Sequence, residues 1–249
     1  MSGHSKWSTI KHKKAKVDAQ KGVTFAKFSR EITVAAKMGG IDPASNFRLR
    51  TAIDKAKESG LPNDNIKRAI DKASGGAGSD SIEELTYEGY AAGGVAVFVE
   101  AMTDNRNRTA GDIRSYFKKF QGNLGENGCV AWMFKQQGEI ELSKDTDFDT
   151  LFEVVINAGA EDFVEEESSY RVVTAMENLQ SVAEEIEKAG YKCHMAQITR
   201  NPENTVEVTD ETVAKNIMRL LDALESHDDV QNVYANFDMS DELIEKVSG

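Results

Sequence analysis

Residues 3–22 read GHSKWSTIKHKKAKVDAQKG, a stretch with six lysines, two histidines and a tryptophan. The ammonium groups of Lys6, Lys11, Lys13, Lys14 and Lys16 are suited to neutralising phosphates, and Trp7 offers a flat ring that stacks on an exposed base or anchors on the helices that follow. A helical projection gathers Trp7, Ile10 and Val17 on one side and spreads the lysines over nearly every other direction. Little apolar surface is left to bury, so the segment is expected to stay disordered or loosely docked until an anionic partner orders it. A tail that serves only solubility is the plainer alternative, but a chain of net charge -12 has no need of extra lysines for that.

A second cationic motif, TDNRNRT (103–109), joins a predicted strand to a predicted helix. Arg106 and Arg108 fall where the helix macrodipole already presents partial positive charge, so something must offset them. An external phosphate would do so through backbone N–H groups and two guanidinium forks; so would Glu100, Asp104 or an acidic patch elsewhere in the chain. Both readings stay open at the level of sequence. Lys27, Arg30, Lys37, Arg48, Arg50, Lys55, Lys57, Lys67, Arg68 and Lys72 extend the basic character through the first 75 residues. Some are expected to pair with Asp54, Glu58 or Asp71 at helical spacing.

Catalytic chemistry finds little support. His4, His12, His194 and His227 are scattered, no serine or cysteine sits in a nucleophile motif, and GGAGSD lacks the Lys-Ser/Thr ending of a phosphate-binding P-loop. Cys129 and Cys193 form no CxxC pair, which argues against a zinc module or a disulfide framework. VEEESS and SHDD read as a solvated strand end and a turn, and GNLGENG as a glycine-rich loop. No catalytic residue, metal ligand, cofactor or small-molecule substrate is expected.

These residues need positioning elements, and the charge distribution marks where they divide. Residues 1–75 hold 16 Lys and Arg against 7 Asp and Glu, net +9, whereas residues 76–249 hold 14 against 35, net -21. Phosphate polyanions are attracted to the first part and repelled by the second. Within residues 23–75 three amphipathic helices are predicted: 23–40; a second opening with Asp42 as N-cap and Pro43 at the first position, burying Phe47, Ile53 and Ala56; and a third after Pro62. GGAGSDS (75–81) reads as a linker. Beyond it lie strand 93–103, helix 109–122 with a Thr109/Asp112 capping box, strand 129–134, and much later strand 204–208, helix 210–227 and strand 230–237. Between these halves, residues 138–199 spell βαββαβ, the split-βαβ order.

The fold class predicted is therefore α+β: an N-terminal helical bundle followed by two ferredoxin-like (βαββαβ) domains, one inserted into the other. The boundaries are a basic arm (1–22), a helical domain (23–75), a discontinuous first α+β domain (82–135 plus 204–240) and the inserted second (136–203). No apolar run approaches the roughly 20 residues that cross a bilayer, and the N-terminus lacks the apolar core of a secretory signal; a cytoplasmic protein without membrane contact is expected.

Four blocks carry a resemblance: MSGHSKWSTIKHKKAKVDAQKG, NFRLRTAIDKAKESGLPNDNIKRAI, YEGYAAGGVAVFVEAMTDNRNRTAGDIR and GNLGENGCVAWMF. Together the chain resembles the YebC/PmpR family, whose mitochondrial relatives include the translational activator of cytochrome c oxidase subunit I. One departure is Ala91-Ala92, where a Gly-Pro pair is expected. The resemblance implies a helical head with two α+β domains, and two competing non-enzymatic functions: a DNA-binding transcriptional regulator, or a translation factor that binds ribosomal RNA on the ribosome and relieves stalling at proline-rich stretches. It points to Lys6, Lys11, Lys13, Lys14, Lys16, Arg106 and Arg108 as contacts; Trp7, Arg48 and Arg50 join them from the reading of the residues. The expected partner is nucleic acid, DNA or ribosomal RNA. A protein-interaction module whose acidic domains bind a basic partner, and an enzyme built around Cys193 and His194, are the alternatives from other classes.

Overall fold

The computed structural model describes residues 19–75, 82–145, 147–166 and 169–247; the basic arm with Lys6, Trp7, Lys11, Lys13, Lys14 and Lys16, and nearly all of the linker, lie outside them. The described chain divides into two compact units, one running to Phe134 and resuming at Pro202, the other Lys135–Asn201.

The first unit opens with three helices, α1 (Ala19–Gly39), α2 (Phe47–Glu58) and α3 (Asn63–Ala73). Ile32, Ala35 and Ala36 of α1 meet Leu49, Ala52, Ile53 and Ala56 of α2 and Ile66 and Ala69 of α3 in one small core. The second helix starts later than the sequence implies. Asn46, not Asp42, is its N-cap: the Asn46 side chain accepts from the Leu49 amide and donates to the carbonyls of Ala35 and Gly40. Asp42 instead caps a turn through the Ala44 amide. Phe47 is only half-buried, with the Arg50 guanidinium 5.4 Å above its ring.

A four-stranded antiparallel sheet follows in this unit, in the order β3 (Asn123–Leu124), β1 (Glu83–Tyr90), β2 (Ala96–Thr103), β9 (Val230–Ala235). Helices α4 (Arg106–Lys119) and α7 (Glu211–Glu225) cover one face. There Val97, Val99, Val233 and Ala235 pack against Ile113, Phe117, Ile217, Leu221 and Leu224. The opposite face, with Ala96, Phe98 and Tyr234, is covered by Val130 and Phe134. Burial on both sides explains why β2 reads as an apolar run interrupted only by Glu100 before its closing Thr103.

Two sequence-level elements change here. Of residues 129–134 only Phe134 lies in a strand; the others form a turn and a short 3-10 helix (Ala131–Met133) laid over the sheet. Their apolar character comes from covering the strands, not from joining them. The strand beside β2 is β1, which sequence reading left out because its pattern is charged and largely exposed. It takes the place that the third strand of a βαββαβ sheet would fill, so the spatial order is ferredoxin-like while the connectivity is permuted. Residues 206–207 form the short β8, paired in parallel with β10 (Phe237–Asp238) outside the main sheet. A last helix, α8 (Asp241–Val247), closes the unit.

The second unit contains β4 (Phe134–Ser143), α5 (Phe148–Asn157), β5 (Asp162–Glu165), β6 (Ser169–Thr174), α6 (Leu179–Lys188) and β7 (Cys193–Pro202), in the sheet order β5-β6-β4-β7. This is the split-βαβ arrangement, with Leu151, Val155, Val182 and Ile186 of its helices fully buried with Ile140 and Val172 of its strands. No helix among the described residues is long and apolar enough to cross a membrane.

Candidate nucleic-acid interface

The second cationic motif is the best resolved. Asn105 is the N-cap of α4, its side chain accepting from the Arg108 amide, so the helix starts one turn before the capping box expected at Thr109. Arg106 and Arg108 therefore stand in the first turn, both exposed, beside a buried Thr109. What offsets the charge of Arg108 is Asp229, in the loop before β9, whose side chain is only 2% exposed.

Asp229 is bound from three directions. Its Oδ2 lies 2.9 Å from Arg108 Nη2, and accepts from the Thr109 and Thr103 hydroxyls at 2.7 and 3.1 Å. Its Oδ1 lies 3.0 Å from Nη2 of Arg30 on α1. Burial alone would push this carboxyl up, but the bonds from Arg108 and Thr109, the charge of Arg30 and the Thr103 bond outweigh it and hold the carboxyl below its ordinary value. Its backbone is fixed as well: the amide donates to His227 Nδ1 at 3.1 Å, and the carbonyl accepts from Met102 at 2.7 Å beside a register shift in the β2–β9 ladder. Lys27 Nζ donates to the Glu225 carbonyl at the C-terminal end of α7, and Arg30 Nη1 to the Asp228 carbonyl. A helix end leaves such carbonyls without intrahelical partners, so α1 docks on the end of α7 through complementary charge.

The sequence-derived cations thus separate into two groups. Arg108 is held by Asp229 and by Asp104 at 2.9 Å, which raise its pKa further. Arg48 is half-buried, which would weaken its charge, but Glu31 at 2.8 Å and Glu84 at 2.6 Å outweigh this and raise its pKa. Arg50 donates to the Pro43 carbonyl and lies over Phe47. Arg48, Arg50 and Arg108 are thus each engaged by their own fold, and of the two readings open for Arg108 the internal pairing is present. Arg106 is exposed and makes no hydrogen bond or ion pair among the described residues. The same holds for Lys37, Lys57, Lys67, Arg68 and Lys72 in the helical head, and for Arg114 and Lys118 on the outer face of α4.

Sequence reading missed three features. Asp229 falls in the SHDD stretch that reads as a turn, and nothing local distinguishes it from Asp228. α4 is a basic helix in an acidic region, carrying Arg106, Arg108, Arg114, Lys118 and Lys119 against Asp112 alone. The third is Glu88 on β1, 3% exposed, whose carboxylate accepts from the Gly128, Val130 and Ala131 amides at 2.6, 2.8 and 2.7 Å. That grip fixes the glycine-rich loop so that Trp132 projects 66% exposed, its indole N–H donating to the Cys129 carbonyl. His194 and Cys193 share no metal-binding cluster with carboxylates among the described residues. Burial pushes the Cys193 thiol up to about 12, the reverse of what a nucleophile requires.

The chain matches two families that between them cover most of its length: "TACO1/YebC protein N-terminal domain" over residues 5–76 and "TACO1/YebC second and third domain" over residues 82–237. A "Probable transcriptional regulatory protein" of Geobacter sulfurreducens is 55% identical over 99% of this chain and 100% of its own length. Another protein of that description, from Desulfitobacterium hafniense, is 51% identical over 99% of both chains. The crystal structure of a conserved hypothetical protein from Aquifex aeolicus superposes with a TM-score of 0.82 at 48% identity, covering 91% of this chain and 93% of that one.

Proposed function

Since the chain belongs to the TACO1/YebC family, we propose that it is a non-enzymatic regulator of gene expression that grips nucleic-acid phosphates with its cationic N-terminal third and keeps its anionic remainder clear of them. The observation that carries this reading is the split of charge, +9 over residues 1–75 against -21 over the rest, together with head cations that no carboxylate of the described fold neutralises. Lys6, Lys11, Lys13, Lys14 and Lys16 of the arm supply most of the grip, Trp7 stacks or anchors, and Arg106 adds a guanidinium at the N-terminus of α4. Transcriptional regulation is the role named for the relatives, and it comes to this chain through them. Lysine contacts to phosphate position a protein without specifying sequence, so promoter selectivity requires further contacts to base edges.

A second reading is favoured by the size of the negative charge. A long duplex lying against a -21 body is repelled, whereas a compact basic head enters a crevice of ribosomal RNA and leaves the body outside. On that reading the protein is a ribosome-associated translation factor that relieves stalling at proline-rich stretches. Sucrose-gradient sedimentation of cell lysate, with and without RNase, separates the two. RNase-sensitive co-migration with ribosomes supports translation; a free pool that footprints defined promoters supports transcription. A partner protein retained after nuclease treatment, with no nucleic-acid binding, would refute both.

A further inference from the structure

The head contains a cleft that neither the arm nor the α4 motif accounts for. It opens between α1 and α3, has a volume of about 260 Å³, and is lined by Ser29, Arg30, Thr33, Asn65, Arg68, Ala69, Lys72 and Ile82. Thr33 ties its two walls together, its hydroxyl donating to the Ser29 carbonyl of α1 and the Ala69 carbonyl of α3 at 2.9 and 3.0 Å. Asn65, Arg68 and Lys72 follow one another at helical spacing, which turns all three toward the opening.

Its charge is one-sided. Three cations line it and no carboxylate does. Arg68 and Lys72 stand at i and i+4, a like-charged pair that destabilises a helix in isolation, and neither is neutralised among the described residues. Arg30 forms the inner end. Its guanidinium is held at Nη1 by the Asp228 carbonyl and at Nη2 by Asp229, which leaves its other N–H groups unspent. Asp229 fixes that arginine in place, and also binds Arg108 through its other oxygen. Arg30 at the cleft and Arg108 in the first turn of α4 thus share a single buried counter-ion.

We infer that this cleft seats a phosphate of a nucleic-acid backbone, with Arg68, Lys72 and the open edge of Arg30 as donors, the Asn65 amide as a neutral donor, and Ile82 against the sugar. The inference rests on the nucleic-acid reading above and deepens it. Arg30 is preorganised, and a fixed guanidinium loses less freedom on binding than a flexible lysine of the arm.

The test uses the full chain, a single-stranded RNA and inorganic phosphate as probes, and three variants: the double Arg68→Ala/Lys72→Ala, the arm variant with Lys11, Lys13, Lys14 and Lys16 changed to alanine, and Arg219→Ala on the outer face of α7 as a charge control. The double variant is expected to make the slope of log affinity against log salt shallower by about 0.7, the value for one phosphate contact on a single strand, while Arg219→Ala leaves the slope unchanged. Inorganic phosphate is expected to shift the amide resonances of residues 65–72 in the wild type and not in the double variant. An unchanged RNA slope in the double variant, when the arm variant does lose affinity, overturns the backbone seat and leaves the nucleic-acid reading standing. Phosphate shifts with that unchanged slope assign the cleft to free phosphate instead. Binding by the wild type to neither that RNA nor a DNA duplex refutes the nucleic-acid reading itself.

Discussion

Replacing Asp229 with alanine removes the one acceptor that serves Arg30, Arg108, Thr103 and Thr109 together. Taking one partner from a buried ion pair costs about 3–5 kcal/mol, chiefly because a charge is stranded. Here the stranded groups are the two arginines, with side chains 23% and 47% exposed. Water recovers part of their solvation, which lowers that share to about 2 kcal/mol. The hydroxyls of Thr103 and Thr109 stay fully buried and lose an acceptor, adding about 1 kcal/mol. A loss of about 3 kcal/mol moves the melting temperature of a chain this size down by about 6–12 °C, readable by calorimetry as a shift of the transition of the unit that holds the head. Amide exchange at Met102, which donates to the Asp229 carbonyl, should accelerate with it. The pH dependence has a fixed sign. The folded carboxyl lies below its unfolded value, near 3.9, so its contribution is complete above that value and fades as pH falls through the folded one. The difference between wild type and variant should stay level from about pH 7 to 5 and shrink below about pH 4. A shift under about 2 °C at pH 7, or a difference that grows in acid, would refute the reasoning.

Glu88→Gln exchanges an acceptor of three amides for a group with a single carbonyl oxygen, and should cost about 2–4 kcal/mol, with faster exchange at Gly128, Val130 and Ala131 and altered emission from Trp132. Cys193, pushed up to about 12 by burial and then by Glu187, has about a thousandfold less thiolate at pH 8 than an unfolded cysteine. Its greater intrinsic nucleophilicity returns over a decade, so alkylation by iodoacetamide should be roughly 10²-fold slower in the folded protein. Equal rates in folded and urea-unfolded protein would contradict this burial.

What the sequence made legible follows from how local each signal is. The three head helices and the inner βαββαβ unit show because apolar periodicity and glycine or proline punctuation act within a few residues. β1 escaped because only its last residues are buried, and its most buried side chain is a glutamate that looks solvated until its three amide donors are seen. Residues 129–134 misled for the complementary reason: a segment that covers a sheet is as apolar as one that joins it. The Asp229 cluster spans 199 and 121 residues to Arg30 and Arg108, beyond any spacing rule, although the demand for an offset at Arg106 and Arg108 was readable from the helix dipole. The structure supplies that carboxylate for Arg108 and leaves Arg106, already a candidate, exposed.

The central claim is that the cationic front of the molecule grips polyphosphate. Its most direct test is the salt dependence of affinity for a nucleic acid, compared between the full chain and one lacking residues 1–21. The truncation removes six lysines, of which the five assigned to phosphate predict a loss of about 4 from the magnitude of the log–log slope and weaker binding at every salt concentration. Unchanged affinity and slope after truncation would contradict the account.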